Sequence, residues 1–174
     1  QTIREGGSLD LGTYGESRVI TRADVTPQDV LAADQVLVGI NRSRHAFNGR
    51  IRELLGRKHR GIPEVGDKLV CLRNFHPKGL LNGGLWVADR VENGDGKGRR
   101  RSNRTGRSVR NAPPLEEASV FNLVVSPEDY GMRARPVEVS VPREFFTGTE
   151  ENLAWEDRKG KEEFTFGYAL TCHK

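Results

Sequence analysis

The side chains best suited to chemistry in this 174-residue chain are its arginines and lysines, and the chemistry they suit is holding phosphate. Lys97, Arg99, Arg100, Arg101, Arg104, Arg107 and Arg110 fall in one short stretch with Asp95 as the only acid. The formal net charge is +4, and without this stretch the remainder is slightly acidic, so the pI near 9.3 describes one segment. Each phosphate that such a cluster neutralises adds a salt-dependent increment of binding to a polyanion. A solvated basic loop has the same composition, and the residue types leave both readings open. A second group, Arg73, His76, Lys78 and Trp86, offers the mixture of phosphate contact and base stacking that holds a single nucleic-acid strand. Trp86 sits between Leu85 and Val87, which suits a core position equally well.

Other chemistries lack their residues. There is no Gly-x-x-x-x-Gly-Lys-Thr phosphate loop, and no apolar strand ends in the Asp-Glu pair that holds Mg2+ in nucleotide hydrolases. His45, His59 and His76 have no metal-ligand spacing, and no Ser/His/Asp or Cys/His constellation can be read. Cys71 and Cys172 are too few and too far apart for a disulfide framework or a zinc site, and read as reduced thiols of a cytoplasmic protein. Glu150, Glu151, Glu156 and Asp157 read as a solvated linker and not as a nuclease site. With 35% apolar and 30% charged residues, and no run near the ~20 apolar residues a membrane span needs, the chain reads as soluble and loop-rich. The opening Gln1-Thr-Ile-Arg-Glu-Gly6 has neither a Met nor a leader's apolar core, which implies a section of a longer protein.

The elements that must carry these residues change character along the chain. Ser17-Arg-Val-Ile-Thr21 is a short β-prone piece. Thr26-Pro27 predicts a helix start, with Thr26 as N-cap, Pro27 at the first helical position and Asp29 closing a capping box. Gln35-Val-Leu-Val-Gly-Ile40 predicts a buried strand of parallel type. A helix follows to Gly56, with Asn41 or Ser43 as cap and Phe47, Ile51, Leu54 and Leu55 on one face. From Val65 the periodicity is β: strands are expected over 68–73, 85–91, 119–125 and 136–141, separated by turn formers. Four or five short strands with no convincing helix imply a small barrel. The stretch 92–114 has no aromatic and one β-branched aliphatic, Val109, so a flexible excursion between barrel strands is expected. Phe164, Phe166 and Tyr168 alternate like a strand returning to a sheet.

Three stretches together resemble the C-terminal half of RecD-like DNA helicases of superfamily one. Leu37-Val-Gly-Ile-Asn-Arg-Ser-Arg44 looks like helicase motif IV. Val65-Gly-Asp-Lys-Leu-Val-Cys-Leu-Arg-Asn74, followed by Leu80-Leu-Asn-Gly-Gly-Leu-Trp86, resembles the opening of the barrel inserted in the second motor domain. Tyr168-Ala-Leu-Thr-Cys-His-Lys174 is similar to the front of motif V. Their order and the barrel-sized gap make the match specific; residues 1–34 carry it weakly and the region between 92 and 162 only by position.

The resemblance implies a fold in two parts, mixed α+β overall. Residues 1–64, with 162–174 returning to them, form the α/β portion of a RecA-like domain; residues 65–161 form an inserted antiparallel β-barrel of SH3-like type. It implies that Arg44 reaches across a cleft to the γ-phosphate of ATP, and that Thr171, His173 and Lys174 lie along single-stranded DNA. The partners implied are that strand and the N-terminal RecA-like domain of the same parent chain. ATP and Mg2+ would be bound only by the intact parent, an ATP-dependent 5′ to 3′ helicase, and the section alone would be inactive. The other reading of the residues is a free-standing basic nucleic-acid-binding β-barrel without catalytic activity.

Overall fold

The computed structural model describes residues 6–7, 9–94, 114–128 and 135–172. Two compact units divide at Val36 and Leu37. In the first, β1 (Gly12–Tyr14) and β2 (Ser17–Val19) form a hairpin, and α1 (Pro27–Ala32) follows. The α1 start is the expected capping box: the Asp29 backbone N–H donates to the Thr26 hydroxyl, and the Thr26 backbone N–H donates to the Asp29 carboxylate. Those bonds hold the Asp29 carboxyl below its ordinary pKa, with the Thr26 side chain as the largest cause.

The larger unit is built on a five-stranded antiparallel sheet. Its strands are β4 (Lys68–Cys71), β5 (Leu85–Asn93), β6 (Val120–Pro127), β7 (Val137–Pro142) and β8 (Phe164–Phe166), in the order β7-β6-β5-β4-β8. Alternate residues turn to one side. Leu69, Cys71, Trp86, Ala88, Phe121, Leu123, Val125, Val139, Val141, Phe164 and Phe166 are all buried in one cluster. The register sets Leu69 opposite both Trp86 and Phe166, and Phe121 opposite Val141. A bulge between Ala88 and Arg90 bends β5.

The sheet curls until its edges meet. The Glu162 backbone N–H donates to the Ser140 carbonyl at 3.0 Å, and the Ser140 N–H donates to the Glu162 carboxylate at 2.7 Å. The one-turn helix α3 (Glu144–Thr147) packs against β7 and β8 with Phe145 and Phe146 buried, and the Phe146 ring lies 5.7 Å from Phe121 and 5.1 Å from Phe166. Each such aromatic contributes about 1.5–3 kcal/mol by leaving water. Helical turns at α3 and at α4 (Trp155–Arg158) therefore stand where none was expected.

Outside this sheet, β3 (Val36–Val38) pairs with β9 (Ala169–Thr171), and α2 (Asn41–Leu54) packs on β9. Two expectations are corrected. The strand at 35–40 is shorter and not fully buried: Leu37 is 63% exposed, because β9 is its sole strand neighbour among the described residues. The buried face of α2 is Arg44, Asn48, Ile51 and Arg52, with Phe47 and Leu54 half-buried and Leu55 exposed. The helix lies on backbone carbonyls and a carboxylate, so polar side chains do the docking. Ile40 takes the N-cap position without a side-chain bond, and neither Asn41 nor Ser43 caps; Gly56 has the expected left-handed backbone, φ 74°. Among the described residues, no helix is long and apolar enough to cross a membrane.

Candidate functional site

The side chains most tightly organised lie where α2 meets the last strand. Asn48, 2% exposed, donates through Nδ2 to the carbonyls of Phe166 (2.9 Å) and Ala169 (3.2 Å), and accepts at Oδ1 from the Ala169 N–H (2.7 Å). Two turns earlier, the Thr171 hydroxyl donates to Asn41 Oδ1 at 2.8 Å, and beside it the Cys172 N–H donates to the Val38 carbonyl at 2.9 Å. The stretches around Asn41 and Thr171 are thus brought side by side.

Arg44 lies on this helix with its side chain 8% exposed. Its nearest carboxylate, Glu150, is 3.9 Å away, and Nη2 lies 3.3 Å from His45 Nε2. Its Nε is buried and makes no hydrogen bond among the described residues. Burial lowers the pKa of this guanidinium and Glu150 raises it, but a guanidinium stays charged in either case. His45 is pushed below its ordinary value by burial first and by Arg44 second, with Glu150 opposing. Arg44 therefore keeps donors unspent at the end of a rigid helix.

A second cluster is saturated. Asp67 is wholly buried and accepts from Arg52 Nε (3.1 Å), Arg52 Nη2 (3.0 Å), the Glu64 N–H (2.7 Å) and the Tyr168 hydroxyl (2.9 Å). Arg52 also donates to the carbonyls of His59 and Ile62 and lies 4.1 Å over the Phe166 ring. Gly66, at φ 84°, makes the turn that aims Asp67 inward. Burial, and next the Asp67 carboxylate, raise the Tyr168 phenol above its ordinary pKa, so it remains a donor. With Arg52 and Asp67 bonded to each other and to the backbone around them, this cluster positions α2.

Of the residues picked from sequence for DNA contact, Arg73 is 57% exposed and paired with Glu163 at 3.4 Å. Lys78 is committed: its ammonium donates to the Glu162 carboxylate (2.5 Å) and the Glu138 carbonyl (2.7 Å). Trp86 is a core residue, 7% exposed and edge-on to Phe164 at 6.2 Å, so its faces are closed to a base. Of the two readings its neighbours allowed, the structure has the core one. Thr171 is placed as above. Arg99, Arg100, Arg101, Arg104, Arg107, His173 and Lys174 lie outside the described residues.

The sequence reading passed over a cleft of about 160 Å³ lined by Arg73, Phe75, Trp155, Lys159 and Lys161 among others. Trp155 is 64% exposed and Phe75 38%. A larger groove of about 480 Å³ runs over β5, β6 and β7, but its cations are matched: Lys78 by Glu162, and Arg90 by Glu92 and Glu138. The signal for the cleft was present as a tryptophan followed by Arg158-Lys-Gly-Lys161, hidden by the acids before it.

Both cysteines are free, Cys71 buried and Cys172 exposed. Burial raises the Cys71 thiol above its ordinary pKa, and its Sγ donates to the Arg73 carbonyl. In the folded chain an aromatic disulfide reagent is expected to modify Cys172 at once. Cys71 should react at least about a thousandfold more slowly, since its strand must first open. Two fast thiols in the native state would contradict the β4 register.

Comparison with protein-family models, with curated proteins and with solved structures gave no match to this chain.

Proposed function

We propose that this chain is part of an ATP-dependent 5′ to 3′ DNA helicase of the RecD-like type, contributing a single-strand-binding surface and one wall of the ATP cleft. The observation that supports this best is the meeting of Asn41–Asn48 with Ala169–Cys172 across more than a hundred residues of intervening chain. These are the stretches that resemble motifs IV and V, which in a motor flank one cleft. On this reading β3, α2 and β9 belong to the second RecA-like domain, and the curled five-stranded sheet is its inserted SH3-like barrel.

Arg44 fits a phosphate-contacting role because its buried Nε is unspent and its carboxylate neighbour is beyond hydrogen-bond distance. ATP, when bound, supplies the phosphoryl group whose transfer to water drives movement. Arg44 would hold the charge on that group, with α2 fixing its direction through Asn48 and Arg52. The phosphate loop and the Mg2+ ligands would come from the N-terminal RecA-like domain of the parent protein. Thr171, beside Asn41, would face the strand.

The test is Arg44→Ala in the parent protein. DNA-stimulated ATP hydrolysis should fall by about 10²–10³-fold, with oligo-dT binding unchanged. Equal hydrolysis rates would overturn the assignment. A free-standing basic nucleic-acid-binding module is the second reading, favoured by the inclusion of α2 in one compact unit with the five-stranded sheet. It predicts oligo-dT binding by this chain and no ATP hydrolysis in any parent protein.

A further inference from the structure

We infer that the cleft between Phe75 and Trp155 is a base-stacking site for single-stranded nucleic acid, with Lys159, Lys161 and Arg73 taking the flanking phosphates. The inference deepens the proposed function by naming the surface that holds the strand, and rests on it only for the choice of DNA.

Two aromatic rings on one small cleft are exposed where burial would be worth more. Trp155 opens α4 at 64% exposure, and Phe75 stands at 38% in the turn closed by its backbone bonds to Leu80. That turn is rigid: the Asn82 N–H donates to the Asn74 carboxamide at 2.6 Å, and Lys78 lies 5.8 Å over the Phe75 ring. On the other side, Arg158 is tied to the Glu150 carbonyl and lies 5.6 Å from the Phe145 ring, which anchors α4 to the core. The stacking groups are thus held on fixed supports.

Charge selects the occupant. Lys159 and Lys161 have no carboxylate within ion-pair distance among the described residues, and Arg73 spends one nitrogen on Glu163 and leaves the rest exposed. Glu162 at the cleft is neutralised by Lys78, and Glu156 and Asp157 lie on α4. At about 160 Å³ the cleft is smaller than the ~300–1,000 Å³ that drug-sized ligands occupy, which suits a single planar group. Exposed aromatic side chains beside unpaired lysines match sequence-tolerant strand binding.

The chain has two tryptophans, one buried and one in the cleft, so its fluorescence reports the site directly. Titration with oligo-dT is expected to quench Trp155 emission, while inorganic polyphosphate, which has charge but no bases, leaves it nearly unchanged. Trp155→Ala should weaken oligo-dT binding about tenfold by anisotropy, and Trp155→Phe should restore most of it. Lys159→Ala should lower the salt slope by about 0.7. Equal quenching by polyphosphate, undiminished affinity of Trp155→Ala, or quenching that vanishes in Trp86→Phe instead would each overturn the inference. None of these results bears on Arg44 and ATP hydrolysis, so the motor reading stands or falls separately.

Discussion

Asp67→Ala is expected to destabilise the chain by about 3–5 kcal/mol, a large share of the roughly 5–15 kcal/mol that holds an ordinary domain together. The reason is what the substitution leaves behind. Arg52, with its side chain 4% exposed, would lose its fully buried counter-ion and keep only the half-exposed Glu64 carboxylate at 3.5 Å, beside the uncharged carbonyls of His59 and Ile62. The Glu64 N–H and the Tyr168 hydroxyl would also lose their acceptor. Urea denaturation followed by circular dichroism measures the loss. The companion variant Arg52→Met in the Asp67→Ala background should recover part of it, because an apolar side chain in that site has no charge to strand. A single Asp67→Ala variant within 1 kcal/mol or so of the parent would mean that the network is not the anchor described here.

Asn48→Ala should cost about 2–4 kcal/mol. Its carboxamide accepts from the Ala169 N–H, and it also donates to the carbonyls of Phe166 and Ala169 at a site closed to water. Asn48→Asp should be at least as damaging, since a carboxylate would face those two carbonyls with no donor to offer. Hydrogen exchange locates the effect: the Ala169 amide should lose protection in Asn48→Ala while Leu69 in the central sheet keeps its own until global unfolding. Unchanged protection at Ala169 would show that some other group can replace the carboxamide.

These two residues mark the border of what could be read in advance. Strands β4 to β7 were legible because their buried residues recur every second position, so Leu69 and Cys71, or Phe121, Leu123 and Val125, declare a face without reference to anything distant, whereas β8 was expected with the motor portion and pairs with β4 instead. The α1 capping box was legible for the same local reason. The docking of α2 was not. A helix reader looks for apolar spacing and finds Phe47, Ile51, Leu54 and Leu55, of which only Ile51 is buried, whereas the contact is made largely by Arg44, Asn48 and Arg52, whose partners lie as far away as Ala169. Polar docking leaves no apolar period in the sequence. Trp86 was left open between core and strand contact, and Trp155 was passed over, for a related reason: residue type alone does not say which tryptophan lies inside a sheet and which opens a one-turn helix. Phe145 and Phe146 went unnoticed as core because a four-residue helix is too short to show periodicity.

The adjacency of β4 and β8 has a consequence for how such a molecule can change. Chain runs into the sheet at Lys68 and out of it after Phe166, and Leu69 and Phe166 are direct cross-strand partners, with the Gly167 N–H bonded to the Lys68 carbonyl. A Cβ at Gly167 would fall 2.7 Å from Leu69 backbone, so this doorway is pinned shut. Whatever is threaded between two residues about 5 Å apart imposes no stretch on its host, whether it is a hairpin or a whole domain. Extra residues between β4 and β8 would therefore leave the grip of Asn48 on Phe166 and Ala169 untouched for as long as these two strands keep their register.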